Sequence, residues 1–209
     1  MSTLLLISHG KFLERDLAPL LGRPLKDLKV IHITTAVKGT KTDMTPFWQI
    51  VHSALEKQGC LVEDLDIEGK NKEGLRQILK EANIVFVNGG STFYLLRAIL
   101  ESGLNQVLKE LLPQGLIYMG ASAGAYVACP TIEVTNWKNK DKNNFGITDL
   151  TAMNLVPFIL FVHYVPENRE MIKEKIAQAN YPTRILTDDQ AILVKDDRIE
   201  FLGGEEIKL

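Results

Sequence analysis

The sequence contains little cysteine and no long run of apolar residues. Its longest apolar stretch, residues 155–162, is eight residues long and includes a proline, whereas a membrane-spanning helix needs about 20 residues. The N-terminus lacks the basic start that is typical of a signal peptide. The two cysteines, Cys60 and Cys129, form no CxxC pair, and their apolar surroundings indicate reduced core thiols. These absences predict a cytoplasmic protein with no membrane partner.

An excess of either charge is also missing, since 24 Lys and Arg face 26 Asp and Glu and give a net charge of −2. A chain this close to neutral has no electrostatic reason to bind nucleic acid along a broad face. Apolar residues make up 45% and charged residues 24%, which is typical of a globular protein and excludes general disorder. The length suits a single domain that spans residues 1–209.

Short apolar runs alternate with amphipathic stretches along the first half of the chain. The predicted strands of this half are residues 4–7, 30–34, 61–67, 84–87 and 116–119. Between the second and third of them, apolar residues from Phe47 to Leu55 fall at i, i+3, i+4, i+7 and i+8, which predicts a helix. Repeated strand–helix–strand units favour an α/β fold, in which a doubly wound, mostly parallel sheet lies between two layers of helices.

The second half of the chain is less regular. Residues 132–135 and 159–162 have strand-like patterns, and residues 166–179 predict a helix that begins at Pro166. The last short apolar runs predict a small antiparallel piece at the C-terminus. These runs are residues 185–186, 191–194 and 199–202.

One strand-to-helix turn carries a serine between two glycines. Residues 120–124 read Gly-x-Ser-x-Gly after an apolar strand, which is the context of a nucleophile elbow that exposes Ser122. The N–H of Ala123 would then point towards an oxyanion. Gly89 and Gly90 end the preceding strand and offer a second donor, because adjacent glycines let the backbone approach a ligand. The competing interpretation is a tight turn that contains a serine by chance.

A nucleophilic serine needs a base, and the chain has four histidines. His32 lies within a strand pattern and His52 beside a helical stripe, so we interpret both as structural. His9 follows the first strand and is a candidate ligand group. His163 ends the strand at residues 159–162, and it follows the serine in chain order as an α/β scaffold favours. His163 is therefore the predicted base.

Several segments together resemble peptidase family S51, the family of aspartyl dipeptidase (peptidase E) and cyanophycinase. The combination is much more specific than the serine motif alone. The segments that carry the resemblance are residues 88–93 (Asn-Gly-Gly-Ser-Thr-Phe), 120–125 (Gly-Ala-Ser-Ala-Gly-Ala), 128–132 (Ala-Cys-Pro-Thr-Ile) and 163–164 (His-Tyr).

The resemblance implies a fold similar to class I glutamine amidotransferases, with a serine where those enzymes have cysteine. It implies Ser122 as nucleophile, His163 as general base, and the amides of Gly90 and Ala123 as the oxyanion hole. The expected activity is hydrolysis of short peptides through an acyl-enzyme. We expect neither a metal nor a cofactor, and either a monomer or a homodimer.

The third member of the triad is not settled by the sequence. In peptidase E an acidic residue shortly follows a Thr-Asn pair, but the residue after that pair here is Trp137. The alternatives are Asn136, which could orient an imidazole as in Cys-His-Asn sites, and the carboxylates Glu133 and Asp141. If none of them serves, the chain could instead be a non-catalytic relative that binds a peptide or a small molecule.

Substrate preference is also expected to depart from the aspartyl dipeptidases. The family loop reads Gly-Gly-Asn-Thr, and here Ser91 replaces the asparagine. Selection of an N-terminal aspartate needs a cation, for which Arg169 is the nearest candidate in sequence. The candidate substrate contacts are therefore Gly89, Ser91 and Arg169.

Overall fold

The computed structural model describes residues 2–138, 141–196 and 198–209. Its strands are β1 Thr3–Ile7, β2 Lys29–Ile33, β3 Leu61–Leu65, β4 Ile84–Val87, β5 Ile117–Ala121, β6 Ile159–Phe161, β7 Thr183–Ile185, β8 Ala191–Lys195 and β9 Arg198–Leu202. Its α-helices are α1 Ala18–Leu21, α2 Thr45–Lys57, α3 Lys72–Lys80, α4 Thr92–Ser102, α5 Leu104–Leu111, α6 Ala123–Ala128, α7 Thr135–Lys138 and α8 Arg169–Ile176. Within these ranges no helix has the length and apolar character that a membrane span requires.

The main sheet has seven strands in the order β3-β2-β4-β5-β1-β8-β9. Strands β1 to β5 are parallel, and β8 and β9 add an antiparallel hairpin beside β1. The predicted α/β fold with a small antiparallel C-terminal piece is confirmed. Because β4, β5 and β1 are neighbours, the loops that follow their carboxyl ends meet at one edge of the sheet.

Both faces of the sheet are buried, which explains the unbroken apolar runs of its central strands. Side chains alternate along β1, so that Leu4 and Leu6 pack in one hydrophobic cluster while Leu5 and Ile7 pack in another on the opposite face. Val51 and Leu55 of α2 belong to the second cluster. The sheet is therefore the middle of three layers.

Residues 132–135 were predicted as a strand, and this prediction is wrong. The backbone turns here instead, because Thr135 N–H donates to the carbonyl of Ile132 and α7 begins at Thr135. Ile132 and Val134 are buried in the core, so their apolar pattern reflects packing rather than strand pairing.

The expected pairing of residues 185–186 also needs correction. Strand β7 contains Ile185 but does not join the antiparallel piece. It pairs in parallel with β6 in a separate two-stranded sheet, where Phe161 lies opposite Ile185. The chain therefore leaves β6 and β7 in the same direction.

Candidate active site

Ser122 occupies a strained position between β5 and α6. Its φ of 52° and ψ of −109° are rare for a residue with a side chain, and such strain is typical of functional turns. Its N–H donates to the carbonyl of Ile7 at 3.0 Å, which fixes the turn to β1. A Cβ at Gly124 would overlap the carbonyl of Val87, so only glycine allows α6 to pack this closely against β4. The sequence motif thus has the local structure of a nucleophile elbow.

His163 lies beside this serine, as the sequence predicted. Its Nε2 is 3.0 Å from Ser122 Oγ, within hydrogen-bonding distance. It follows β6 and has a φ of 57°. Its N–H donates to the hydroxyl of Ser8, a fully buried residue that follows β1. The histidine is therefore held through its backbone as well as through its ring.

The other ring nitrogen of His163 meets a carboxylate that the sequence analysis did not select. His163 Nδ1 is 2.5 Å from Asp188 Oδ1. Asp188 follows β7, and the parallel pairing of β6 with β7 brings it next to the histidine. Ser8 Oγ also donates to Asp188 Oδ1 at 3.0 Å, so one hydroxyl ties the histidine backbone to the carboxylate. The structure thus forms a chain of hydrogen bonds from Ser122 through His163 to Asp188.

The three residues considered for this position lie elsewhere. Asp141 accepts hydrogen bonds from Ser91 Oγ at 3.2 Å and from Thr92 N–H at the start of α4. Asn136 is exposed on α7, and Glu133 lies in the turn before that helix. The expectation that one of them orients the imidazole does not match the structure, because Asp188 occupies that place. The deciding information is the pairing of β6 with β7, which local sequence patterns do not contain.

Two backbone amides remain candidates for the oxyanion hole. Ala123 is the first residue of α6, where an N–H has no carbonyl partner within the helix. Gly90 has a φ of 143°, and a Cβ there would overlap the carbonyl of Ala36, so the loop requires glycine. Gly89 is different, since its N–H donates to Asn88 Oδ1 at 2.9 Å. The assignment of Gly90 and Ala123 stays a prediction.

The electrostatic environment suits a base that is neutral and a partner that is charged. Burial lowers the pKa of His163 below its usual value, and the hydrogen bond to Asp188 offsets only part of that effect. Burial acts to raise the pKa of Asp188, but hydrogen bonds from His163 and Ser8 outweigh it and leave that pKa below its usual value. Near pH 7 the imidazole can therefore accept a proton while the carboxylate stabilises the resulting charge.

This environment predicts how activity depends on pH. Protonated His163 cannot take the serine proton, so kcat/KM should fall as the pH drops through the pKa of this histidine. Because that pKa is lowered, the midpoint of the fall should lie below the ordinary value of about 6.5. A profile of kcat/KM between about pH 4.5 and 8, with folding checked at each pH, measures it. A midpoint above the ordinary value would contradict the assignment of the base.

Two cavities meet at Ser122, and Gly90 and His163 border both of them. The first has a volume of about 560 Å³, and Met44, Phe47 and Ile50 give it an apolar wall. Phe47 and Ile50 belong to the predicted helical stripe, but they face this cavity rather than the core.

The second cavity is smaller, with a volume of about 280 Å³, and polar side chains line it. They include Ser91, Thr135, Lys138 and Asp141. Ser91 also caps α4 by accepting from Tyr94 N–H at 3.4 Å. Arg169 is exposed at the start of α8 and lines neither cavity, so the structure does not bring this predicted substrate contact to the site.

Serine hydrolases share this arrangement, in which a serine at a sharp strand-to-helix turn is hydrogen-bonded to a histidine. That histidine is in turn hydrogen-bonded to an aspartate. The family model described as peptidase family S51 matches residues 4–202. The chain belongs to this family and is a serine peptidase, which confirms the resemblance seen in its motifs.

Individual relatives agree with this assignment. A protein of Drosophila melanogaster named as an alpha-aspartyl dipeptidase is 33% identical over 178 residues, which cover 80% of this chain and 71% of that protein. An uncharacterized peptidase of Listeria monocytogenes is 29% identical over 196 residues, 92% of each chain. A crystal structure described as a peptidase E protein from Listeria monocytogenes EGD-e has a TM-score of 0.84 at 27% identity, and the match covers 98% of this chain and 100% of that one.

Proposed function

We propose that the protein hydrolyses short peptides through an acyl-enzyme formed on Ser122. The observation that carries the proposal is the chain of hydrogen bonds from Ser122 Oγ through His163 to Asp188. In the first step the serine oxygen attacks the amide carbonyl, and His163 Nε2 takes its proton. The imidazolium that forms is stabilised by Asp188, which also fixes the tautomer of the ring.

The remaining steps use the amides beside the serine. The N–H groups of Gly90 and Ala123 stabilise the tetrahedral oxyanion, an interaction worth about 10²–10³ in rate for each donor in a typical acyl-transfer enzyme. Collapse of this intermediate breaks the amide bond, and the departing amine receives the proton from His163. Water, deprotonated by the same histidine, then attacks the acyl-enzyme and releases the second product.

Covalent labelling tests the nucleophile directly. A fluorophosphonate probe should react with the native protein at Ser122 and leave the label on one tryptic peptide, which mass spectrometry identifies. His163→Ala should react far more slowly, because the serine loses its base. A label on another serine, or equal labelling of both proteins, would contradict the mechanism.

We further propose a preference for an apolar side chain beside the scissile bond. The apolar wall of the larger cavity supports it, because burying an apolar side chain there releases water from both surfaces. Lys138, the cation that lines the smaller cavity, already donates its Nζ to the carbonyls of Val162 and His163. An aspartate side chain would have to compete with those carbonyls for the same ammonium group.

The preference predicts that dipeptides with Leu, Met or Phe at one position have a higher kcat/KM than Asp-X dipeptides. Phe47→Ala should lower kcat/KM for the apolar substrates by about tenfold, because part of the apolar wall is lost. Tyr181→Ala is a matched control, since Tyr181 is as exposed as Phe47 and lines neither cavity. A preference for Asp-X of about a hundredfold or more would overturn the specificity while leaving the hydrolytic mechanism intact.

The alternative of a non-catalytic binding protein rested on a missing triad acid. Asp188 removes that basis, because it holds His163 Nδ1 as a triad carboxylate would. The geometry therefore favours turnover over binding alone.

A further inference from the structure

A second group of potential ligands lies where α2 meets β2 and β3. Asp64 on β3 is directly opposite His32 on β2, and His52 projects from α2 towards both. Asp64 Oδ1 is 2.8 Å from His32 Nδ1 and 2.8 Å from His52 Nε2. One ligand atom from each residue lies within 4.8 Å of the other two. We call these three residues the His–His–Asp cluster.

The surroundings of His52 fit a bound cation better than a neutral imidazole alone. Its Nε2 faces Asp64, and its Nδ1 faces Glu56 Oε1 at 3.5 Å. A neutral imidazole carries one N–H, so it can donate to only one of these carboxylates and turns a lone pair towards the other. A metal ion on Nε2 would place the proton on Nδ1, where it donates to Glu56 in the carboxylate–histidine–metal arrangement.

The cluster also has the support and the access that a metal site needs. Trp48 Nε1–H donates to Asp64 Oδ1 at 3.3 Å, which orients the carboxylate as outer-sphere groups commonly do. His32 is fully buried, whereas the side chain of Asp64 is 37% exposed, so water can complete the coordination from one side. Two imidazoles and one carboxylate are ligands that zinc favours, with an open fourth position.

We propose that His32, His52 and Asp64 bind one zinc ion. Both imidazole nitrogens now lie at hydrogen-bonding distance from Asp64 Oδ1, at 2.8 Å. Bonds of roughly 2.0–2.2 Å in a tetrahedral zinc site separate neighbouring ligand atoms by about 3.3 Å or more, so each nitrogen would move away from Oδ1 by roughly 0.5 Å when the ion replaces the hydrogen bonds. The ion would join α2 to β2 and β3. Because the first half of α2 carries Phe47 and Ile50, zinc would also hold the wall of the apolar cavity in place. The site takes no part in the reaction at Ser122.

Calorimetric titration of the chelator-treated full-length protein with zinc sulfate tests this proposal. We expect one zinc per chain with a dissociation constant in the micromolar range or below. His52→Gln and Asp64→Asn should each weaken binding by about a hundredfold or more, and Glu56→Gln by about tenfold through its contact with His52. Glu63→Gln is the matched control, because Glu63 neighbours Asp64 but pairs with Lys29, and its binding should equal that of the native protein.

Quenching of tryptophan fluorescence by Co²⁺ tests where the metal ion binds. Of the two tryptophans only Trp48 contacts the cluster, so Co²⁺ should quench its fluorescence in a Trp137→Phe background. Asp64→Asn should abolish that quenching while thermal melting shows the protein still folded. Absence of zinc binding at millimolar concentration would overturn the proposal. Binding that persists unchanged in His52→Gln and Asp64→Asn would place the metal elsewhere and overturn it equally.

Discussion

Ser122→Ala should abolish peptide hydrolysis, with a loss in kcat of about 10⁶, the scale seen when a nucleophile is removed from a triad. Alanine has no oxygen with which to attack the carbonyl, and the other groups of the site cannot replace it. The loss of one hydroxyl removes no core packing, and Ser122 is only partly buried. The melting temperature should therefore stay unchanged or rise, because the strained elbow serves function rather than stability.

The measurement is release of free amine from dipeptides under single-turnover and steady-state conditions, with thermal melting of each variant. Ser53→Ala is a suitable control, since Ser53 is exposed on α2 and lines neither cavity at Ser122. It should retain native turnover. Retention of native turnover by Ser122→Ala would end the assignment of this serine as the nucleophile.

The sequence was sufficient to predict that Ser122 lies at the carboxyl edge of the sheet, beside the glycine loop. The apolar run at residues 84–87 forms β4, and the run at residues 116–119 covers the first part of β5. Glycines come shortly after each run, at Gly89 and Gly120. In a parallel sheet the carboxyl ends of neighbouring strands share one edge, so the glycine loop and Ser122 had to lie close together. His163 was selected because it ends a short apolar strand after the serine in chain order, but its strand β6 lies in a separate sheet, so this rule alone does not bring it to Ser122.

Asp188 could not be found in this way. Strand β7 has only three residues, and a run so short does not reveal whether it pairs in parallel or antiparallel. The sequence does contain one usable signal, since a polar residue follows a short apolar run at both His163 and Asp188. Recognising that both runs belong to one parallel pair would have identified the acid.

The His–His–Asp cluster likewise could not be found from local sequence patterns. His32 and His52 were interpreted as structural because the first lies within a strand pattern and the second beside the apolar stripe of a helix. Their approach to Asp64 depends on the register between β2 and β3 and on the angle of α2, which are long-range properties of the fold. Burial patterns along one element predict which face packs, but not which residue of another element it meets.

Asp188→Asn should lower kcat by about 10⁴, the loss recorded when a triad aspartate is replaced in a well-studied protease. Asparagine can hold the ring through its carbonyl oxygen, but it supplies no negative charge to the imidazolium formed during attack. Its amide can also donate to Nδ1, which would place the proton on Nε2, where the base must be free. Because Asp188 raises the pKa of His163, the variant should also move the acid limb of kcat/KM to lower pH.

Two further carboxylates separate this role from a general effect of charge. Asp189→Asn changes the next residue, which is exposed and does not contact the histidine ring, and it should retain native turnover. Asp141→Asn should alter turnover by less than about tenfold, because Asp141 caps α4 rather than orienting His163. A larger loss of turnover in Asp141→Asn than in Asp188→Asn would instead favour Asp141 as the third member of the triad. A loss of turnover confined to Asp188→Asn, together with the shift of the acid limb, would establish Asp188 as the triad carboxylate. A purely structural defect would lower turnover without moving the pKa of His163.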